Sequence, residues 1–80
     1  MKLNPLGPNK TELRLHNGTV VLFSYKTPVA ALIPGEGWVR TDERYSVTTS
    51  KHINQWLAAN KAELVDEIHQ YRLDALVGAK

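Results

Sequence analysis

Three hydroxyl groups, an ammonium group and an imidazole lie within five consecutive residues: Thr48, Thr49, Ser50, Lys51 and His52. A helix is predicted to begin here, because serine and threonine are preferred at the helix N-cap. The N–H groups at a helix start and the positive end of its dipole can bind an anion. Capping alone accounts for one or two of the hydroxyl groups. The others, with the ammonium group of Lys51, predict an anion site at the helix start.

Catalysis would need a nucleophile beside a base, and only the cluster Ser50-Lys51-His52 offers such a pair along the sequence. Adjacent residues on a helix do not face each other, so this cluster is not a catalytic arrangement. The other histidines, His16 and His69, are not at a spacing typical of a metal-binding helix. We therefore predict a non-enzymatic protein with no cofactor and no metal site.

Two turns set the predicted register of the strands that surround this helix. Asn17-Gly18 is a strong hairpin signal, because both central positions of a type I′ turn need a positive φ. Residues 34–37, Pro-Gly-Glu-Gly, form the second turn. With two residues in the first turn and four in the second, one side of the sheet collects aliphatic residues: Leu13, Leu15, Val20, Leu22, Leu32 and Val39. This side is predicted to pack against the helix.

The opposite side of the sheet, with its flanking turns, is the second candidate site. It gathers aromatic and basic residues: Arg14, Phe23, Tyr25, Lys26, Trp38, Arg40 and Arg44. Rings beside cations on an open sheet can stack nucleic-acid bases while the cations hold phosphates. The same composition suits a protein interface, since Trp, Tyr and Arg are enriched at interface hot spots. A third interpretation is that the C-terminal segment or a second subunit covers this side.

The elements that position both sites follow from hydrophobic periodicity. Residues 1–10 predict an extended lead-in, residues 11–47 an antiparallel β-meander whose last strand ends at Val47, and residues 48–78 a C-terminal helical segment. That segment is either one helix or two joined near Asn60, and all three parts form one domain. The predicted fold class is α+β: a four- or five-stranded antiparallel meander followed by one or two C-terminal helices packed on one face.

Length and composition limit the function classes. The chain has 80 residues and no cysteine, which excludes disulfides and cysteine-based zinc sites and leaves a small core. The net charge is +2, with seven basic and four acidic residues in positions 1–55. No signal peptide and no membrane span are predicted. Because the sheet has two apolar sides, either the C-terminal segment wraps both or a partner or second copy covers one.

Two segments resemble a family of short uncharacterised bacteriophage proteins. They are residues 24–30, Ser-Tyr-Lys-Thr-Pro-Val-Ala, and residues 45–54, Tyr-Ser-Val-Thr-Thr-Ser-Lys-His-Ile-Asn. The resemblance covers residues 13–57 and does not include the tail from Ala58 onward. It implies a phage origin and a location in the cytoplasm of the bacterial host, and it carries no function of its own.

Three functional hypotheses follow. The first is a non-enzymatic phage-encoded accessory protein that binds and modulates a host protein or defence complex. The alternative is a small nucleic-acid-binding protein that uses the aromatic and basic side of the sheet. The third is a structural or oligomeric virion component, with a second copy of the chain as its partner. None of the three involves a membrane.

Overall fold

The computed structural model describes residues 2–78, which form six strands and two helices. In chain order the elements are β1 Lys2–Gly7, β2 Lys10–Arg14, β3 Val20–Ser24, β4 Thr27–Ile33, β5 Gly37–Thr41, α1 Val47–Ala59, β6 Val65–Ile68 and α2 Gln70–Leu76. The strands lie in one sheet in the order of the chain. All neighbours pair antiparallel except β5 and β6, which are parallel because α1 crosses between them. The predicted α+β class with a meander sheet is confirmed.

The predicted extended lead-in belongs to the sheet, because residues 2–7 form strand β1. β1 pairs with β2 so that Lys2 lies opposite Arg14, and the register shifts between Pro5 and Gly7. Proline has no N–H to donate and is found in sheets mainly on edge strands, and β1 is an edge strand. The proline that marked this segment as irregular is therefore compatible with its position in the sheet.

The predicted register of the first hairpin is off by one residue. The loop between β2 and β3 has three residues rather than two: the N–H of Leu15 donates to the C=O of Thr19 over 2.8 Å, and Gly18 has φ 91°. A turn followed by a left-handed residue is the common three-residue hairpin. Leu13 consequently lies opposite Val21. The side chains of β2 therefore point to the opposite faces from those predicted.

The second hairpin, in contrast, is tighter than predicted, with three loop residues rather than four. The N–H of Glu36 donates to the C=O of Ile33 over 2.9 Å, and Gly35 has φ 85°. This is the pattern of a type II turn, with proline at its first central position and glycine at the second. Leu32 therefore lies opposite Trp38. Trp38 faces the same side as Leu32, contrary to the prediction.

Two hydrophobic cores lie on opposite faces of the sheet. The core beneath α1 consists of Val20, Leu22, Val29, Ala30, Ile53, Trp56 and Leu57. The core beneath α2 consists of Leu13, Val21, Ala31, Ile33, Val39 and Leu73. The helices were predicted to share one face, but alternate residues of β3 and β4 belong to different cores, so each helix covers its own face. Of the interpretations that the sequence left open, the C-terminal segment wraps both sides.

Helix α1 begins earlier than predicted, and the predicted strand ending at Val47 is not formed. Ser46 is the N-cap, since its Oγ accepts from the N–H of Thr49 over 3.1 Å. Val47 is thus the first helical residue, and its side chain is exposed. A hydroxyl just before the first turn satisfies a backbone donor that the helix cannot satisfy itself.

The predicted helical segment 48–78 is interrupted by strand β6. Lys61, with φ 55°, follows the C-cap Asn60, and a left-handed residue there ends a helix. Val65 and Ile68 have a helix-like spacing of three, but in a strand that spacing places them on opposite faces, in the α1 core and the α2 core respectively. Neither helix within residues 2–78 is long and apolar enough to cross a membrane.

Candidate functional site

The two sequence motifs meet where the end of β3 faces the first turns of α1. Ser24 Oγ lies 3.1 Å from Thr49 Oγ1 and 2.8 Å from His52 Nδ1. Ser46 Oγ lies 3.3 Å from Thr49 Oγ1. We call this set of four side chains, Ser46, Thr49, Ser24 and His52, the hydroxyl chain. It ties the helix start to the β3–β4 hairpin.

The hydrogen bonds of the hydroxyl chain end at the imidazole of His52. Burial lowers the pKa of His52 from its ordinary 6.5, and the nearby charge of Lys10 lowers it further. The ring is therefore mainly neutral at pH 7, and it shares one hydrogen bond with Ser24, in which Nδ1 accepts or donates according to the tautomer. Ser46 Oγ donates to Thr49 Oγ1, and the hydroxyl groups of Thr49 and Ser24 share the next hydrogen bond. Each member of the chain thus has a hydrogen-bond partner.

A serine bonded to a histidine is also the arrangement of an activated nucleophile and its base. Here Ser24 is only 2% exposed, and its Oγ is also hydrogen-bonded to Thr49 Oγ1. Within residues 2–78 no carboxylate is hydrogen-bonded to His52 to orient it as a base. No three His, Asp or Glu side chains in the same range come together as a metal site. The geometry favours a structural role for the pair.

Tyr25, the residue after Ser24, has an unusual backbone. It is the first of two residues in the turn between β3 and β4, with φ 59°. A positive φ at the first position only is the pattern of a type II′ turn, which normally has glycine there. The N–H of Tyr25 is fixed by the C=O of Asn9 at 2.7 Å, and its ring centroid lies 6.1 Å from that of His52. The side chain is nevertheless 52% exposed.

Two depressions flank Tyr25. The first is a cleft of about 260 Å³ lined by Ser24, Tyr25, Thr27, Val29, Tyr45, Ser46 and Thr49. The second is an apolar groove of about 350 Å³ on the α2 face, lined by Leu3, Thr11, Leu13, Phe23, Tyr25 and Lys26. Tyr45, across the first cleft, is half exposed, and burial together with Glu43 raises its pKa above 10. We call Tyr25, Tyr45 and these two depressions the Tyr25 surface.

The predicted aromatic and basic side of the sheet is not formed. Trp38 faces α1, with its ring centroid 5.3 Å from that of Trp56 in an edge-on contact. Arg40 Nη1 donates to Asn54 of the same helix over 3.1 Å. Arg14 also lies on the α1 face. All three were assigned to the wrong face, because the first hairpin loop is one residue longer than predicted and the second is one residue shorter.

The other residues of that predicted site are dispersed. Phe23 packs against the α2 core, and Tyr25 and Lys26 form the β3–β4 turn. Arg44 lies in the loop before α1 and lines an open depression with Tyr45 and Ser46. Tyr25 and Phe23 thus remain close together, whereas the cations do not accompany them as a group.

The predicted anion site is divided between the inside and the outside of the molecule. Thr49 and His52 belong to the hydroxyl chain, whereas Thr48 and Lys51 are exposed and Ser50 is half-buried. The residues that sequence reasoning missed here are Ser24, Ser46 and Tyr45. All three lie in the two motif segments, which is the signal that could have located them.

Comparison with known proteins places the chain in a family. A family of unknown function, DUF8033, matches residues 1–72. The chain belongs to this family. The match includes β1, β6 and the start of α2, and so extends past the two motifs into the tail that the sequence resemblance did not cover. Searches of curated proteins and of solved structures found no significant match.

The hydroxyl chain predicts a pH-dependent stability. Folding lowers the pKa of His52. As the pH falls below 6.5, its imidazole is therefore protonated in the unfolded chain before it is protonated in the folded chain. The contribution of neutral His52 to the free energy of unfolding is complete above pH 6.5 and is lost as the pH falls through the lowered pKa. We expect the wild type to lose more free energy of unfolding than His52→Gln across this range, measured by urea unfolding. The prediction is contradicted if the wild type's advantage in free energy of unfolding over His52→Gln stays constant, or grows, as the pH falls.

Proposed function

We propose that the chain is a non-enzymatic accessory protein that binds and modulates a host protein through the Tyr25 surface. The observation that carries the proposal is Tyr25 itself, half exposed on a backbone conformation that normally requires glycine. The resemblance of the two motifs to phage proteins adds that it is phage-encoded and acts in the cytoplasm of a bacterial host.

The positive φ of Tyr25 lowers the stability of the folded chain, so folding alone does not account for a tyrosine at this position. A side chain with positive φ costs of order 1–2 kcal/mol, and such residues concentrate at functional positions. Packing does not explain a tyrosine here, because about half of its side chain remains in solvent. A rigidly held tyrosine between two depressions is the kind of residue that anchors a protein interface.

A protein partner fits this surface better than nucleic acid. Of the residues lining its two depressions, only Lys26 is cationic, and the other side chains are apolar or carry hydroxyl groups. Leu3 and Phe23 extend the surface with apolar area. A partner with an apolar segment would bury this area, and moderate salt would affect the complex little.

The test compares Tyr25→Gly with the wild type. We expect the free energy of unfolding to stay within about 1 kcal/mol of the wild type, because relief of strain offsets the entropy that glycine adds to the unfolded chain. We expect capture of the host protein from nuclease-treated lysate to be lost. Urea unfolding and quantitative affinity capture at two salt concentrations measure the two effects.

The matched control is Tyr71→Ser, which removes an exposed tyrosine of α2 that lines neither depression. It should retain the captured protein. The proposal fails if Tyr25→Gly retains it as well, or if nuclease treatment abolishes capture. Recovery of the chain mainly from purified virions, with no host protein retained, would instead support the third hypothesis of a structural or oligomeric virion component.

A further inference from the structure

A groove with six polar or charged side chains among its nine lining residues lies between strands β1 and β2 and helix α1, on the opposite face of the sheet from α2. Its volume is about 450 Å³. Its floor holds Glu12, a carboxylate only 5% exposed, and the buried indole of Trp56. Sequence reasoning did not identify this groove, because the predicted lead-in left β1 out of the sheet.

Glu12 is held from both sides of the groove. Trp56 Nε1 donates to one of its oxygens over 2.9 Å, and Arg14 Nε donates to the other over 3.0 Å. The buried charge is therefore compensated by a cation and a hydrogen bond. Since Arg14 uses Nε for this bond and its side chain is 56% exposed, its two Nη groups can donate to a ligand. Glu12 thus positions Arg14 at the rim.

Further cations continue the rim in both directions. Lys2 lies opposite Arg14 in the β1–β2 register, so both side chains are on the groove face. At the other end, Lys10 Nζ donates to Gln55 Oε1 over 3.2 Å. Lys51 lies one helical turn before Gln55 on α1. The order along the rim is Lys51, Lys10, Arg14 and Lys2, which we call the cationic rim.

The remaining lining indicates the kind of anion. Three carboxamides, Asn4, Gln55 and Asn60, line the groove and can bond to sugar and phosphate oxygens. Trp56 is only 4% exposed and cannot stack a base. The groove therefore offers contacts to a phosphate backbone and no aromatic platform for the bases.

We infer that the cationic rim binds the sugar–phosphate backbone of single-stranded nucleic acid with little sequence preference. A single strand is flexible enough to bring successive phosphates to one row of cations along a groove, whereas a duplex presents its phosphates on a rigid cylinder. This inference does not depend on the proposed function, because the Tyr25 surface involves other residues. It places nucleic-acid binding on the α1 face and not on the face that the sequence predicted.

The test uses fluorescently labelled dT and U homopolymers of fifteen nucleotides, with a duplex of equal length, measured by anisotropy over a salt series. For single strands the logarithm of affinity should fall with that of salt with a slope of about −2 to −3, since four cations neutralise three or four phosphates. Lys10→Glu/Lys51→Glu should bind about tenfold or more weakly at low salt, with a slope shallower by about 1.4.

The control is Arg44→Glu/Lys61→Glu, which has the same net charge and changes exposed basic residues outside the groove. It should retain most of the affinity, and circular dichroism should show both variants folded. The inference is overturned by no binding to either homopolymer at low salt, by an equal loss in both variants, or by equally tight binding of the duplex. Competition by poly-glutamate as effective as by the oligonucleotide would also overturn it, in favour of an acidic protein partner.

Discussion

Replacing Trp56 with alanine should remove about 3–5 kcal/mol from the free energy of unfolding, the range for a buried aromatic residue. Trp56 is buried in the α1 core, contacts Trp38 edge-on and donates to buried Glu12. A domain of 80 residues has about 4–12 kcal/mol in total, so the variant should lose at least about a quarter of its stability. Urea unfolding followed by circular dichroism would measure the loss.

Trp56→Phe separates the hydrogen bond from the packing. Phenylalanine keeps most of the apolar volume but leaves one oxygen of Glu12 without its indole donor. An unsatisfied buried acceptor costs about 1–3 kcal/mol, so we expect an intermediate loss. If Trp56→Phe were as stable as the wild type, the Glu12 contact would contribute nothing to the fold. Losses within 1 kcal/mol for Trp56→Ala would contradict the assignment of Trp56 to the core.

Leu73→Ala should have the second largest effect, a loss of about 2–5 kcal/mol. Leu73 is the fully buried residue of α2 and joins Leu13 and Val21 in the α2 core. Because α2 has seven residues, it is too short to be helical without this packing. We therefore expect amide hydrogen exchange along α2 to accelerate well beyond the change in global stability.

The exposed Tyr71 in the same helix is the control for this prediction. Tyr71→Ala removes more side chain than Leu73→Ala, but Tyr71 is 68% exposed and belongs to neither core, so the change in stability should be about 0.5 kcal/mol or less. If both substitutions lowered the free energy of unfolding equally, Leu73 would not be the residue that holds α2 on the α2 core.

The fold class follows from local patterns, but the faces of the sheet do not. Asn17-Gly18 correctly marks a hairpin, yet its loop length depends on contacts that periodicity does not report. One is the Asn17 side chain, which accepts from the N–H of Thr19 over 3.0 Å. An error of one residue reverses every side chain of a strand. The second turn, one residue shorter than predicted, likewise places the half-buried Trp38 against the core beneath α1 and not on an open surface.

Strand β6 was missed for a related reason. Val65 and Ile68 are as consistent with a helix as with a strand of four residues, and only pairing with β5 decides between them. The candidate site was predicted in part: Thr49 and His52 were selected, but Ser24 was not. Its partners lie 25 and 28 positions away, and no pattern near Ser24 indicates that they meet.

Strand β6, which is parallel to β5, and helix α2 come last in the chain, and this order has a consequence for synthesis on the ribosome. The first five strands can pair as their hairpins emerge, and α1 can then cover one face of the nascent sheet. The second face has no cover until residues 65–76 emerge, because α2 follows β6 in the chain. Until then Val21, Ala31 and Val39 are exposed to solvent. This interval is when a chaperone would most readily bind the nascent chain.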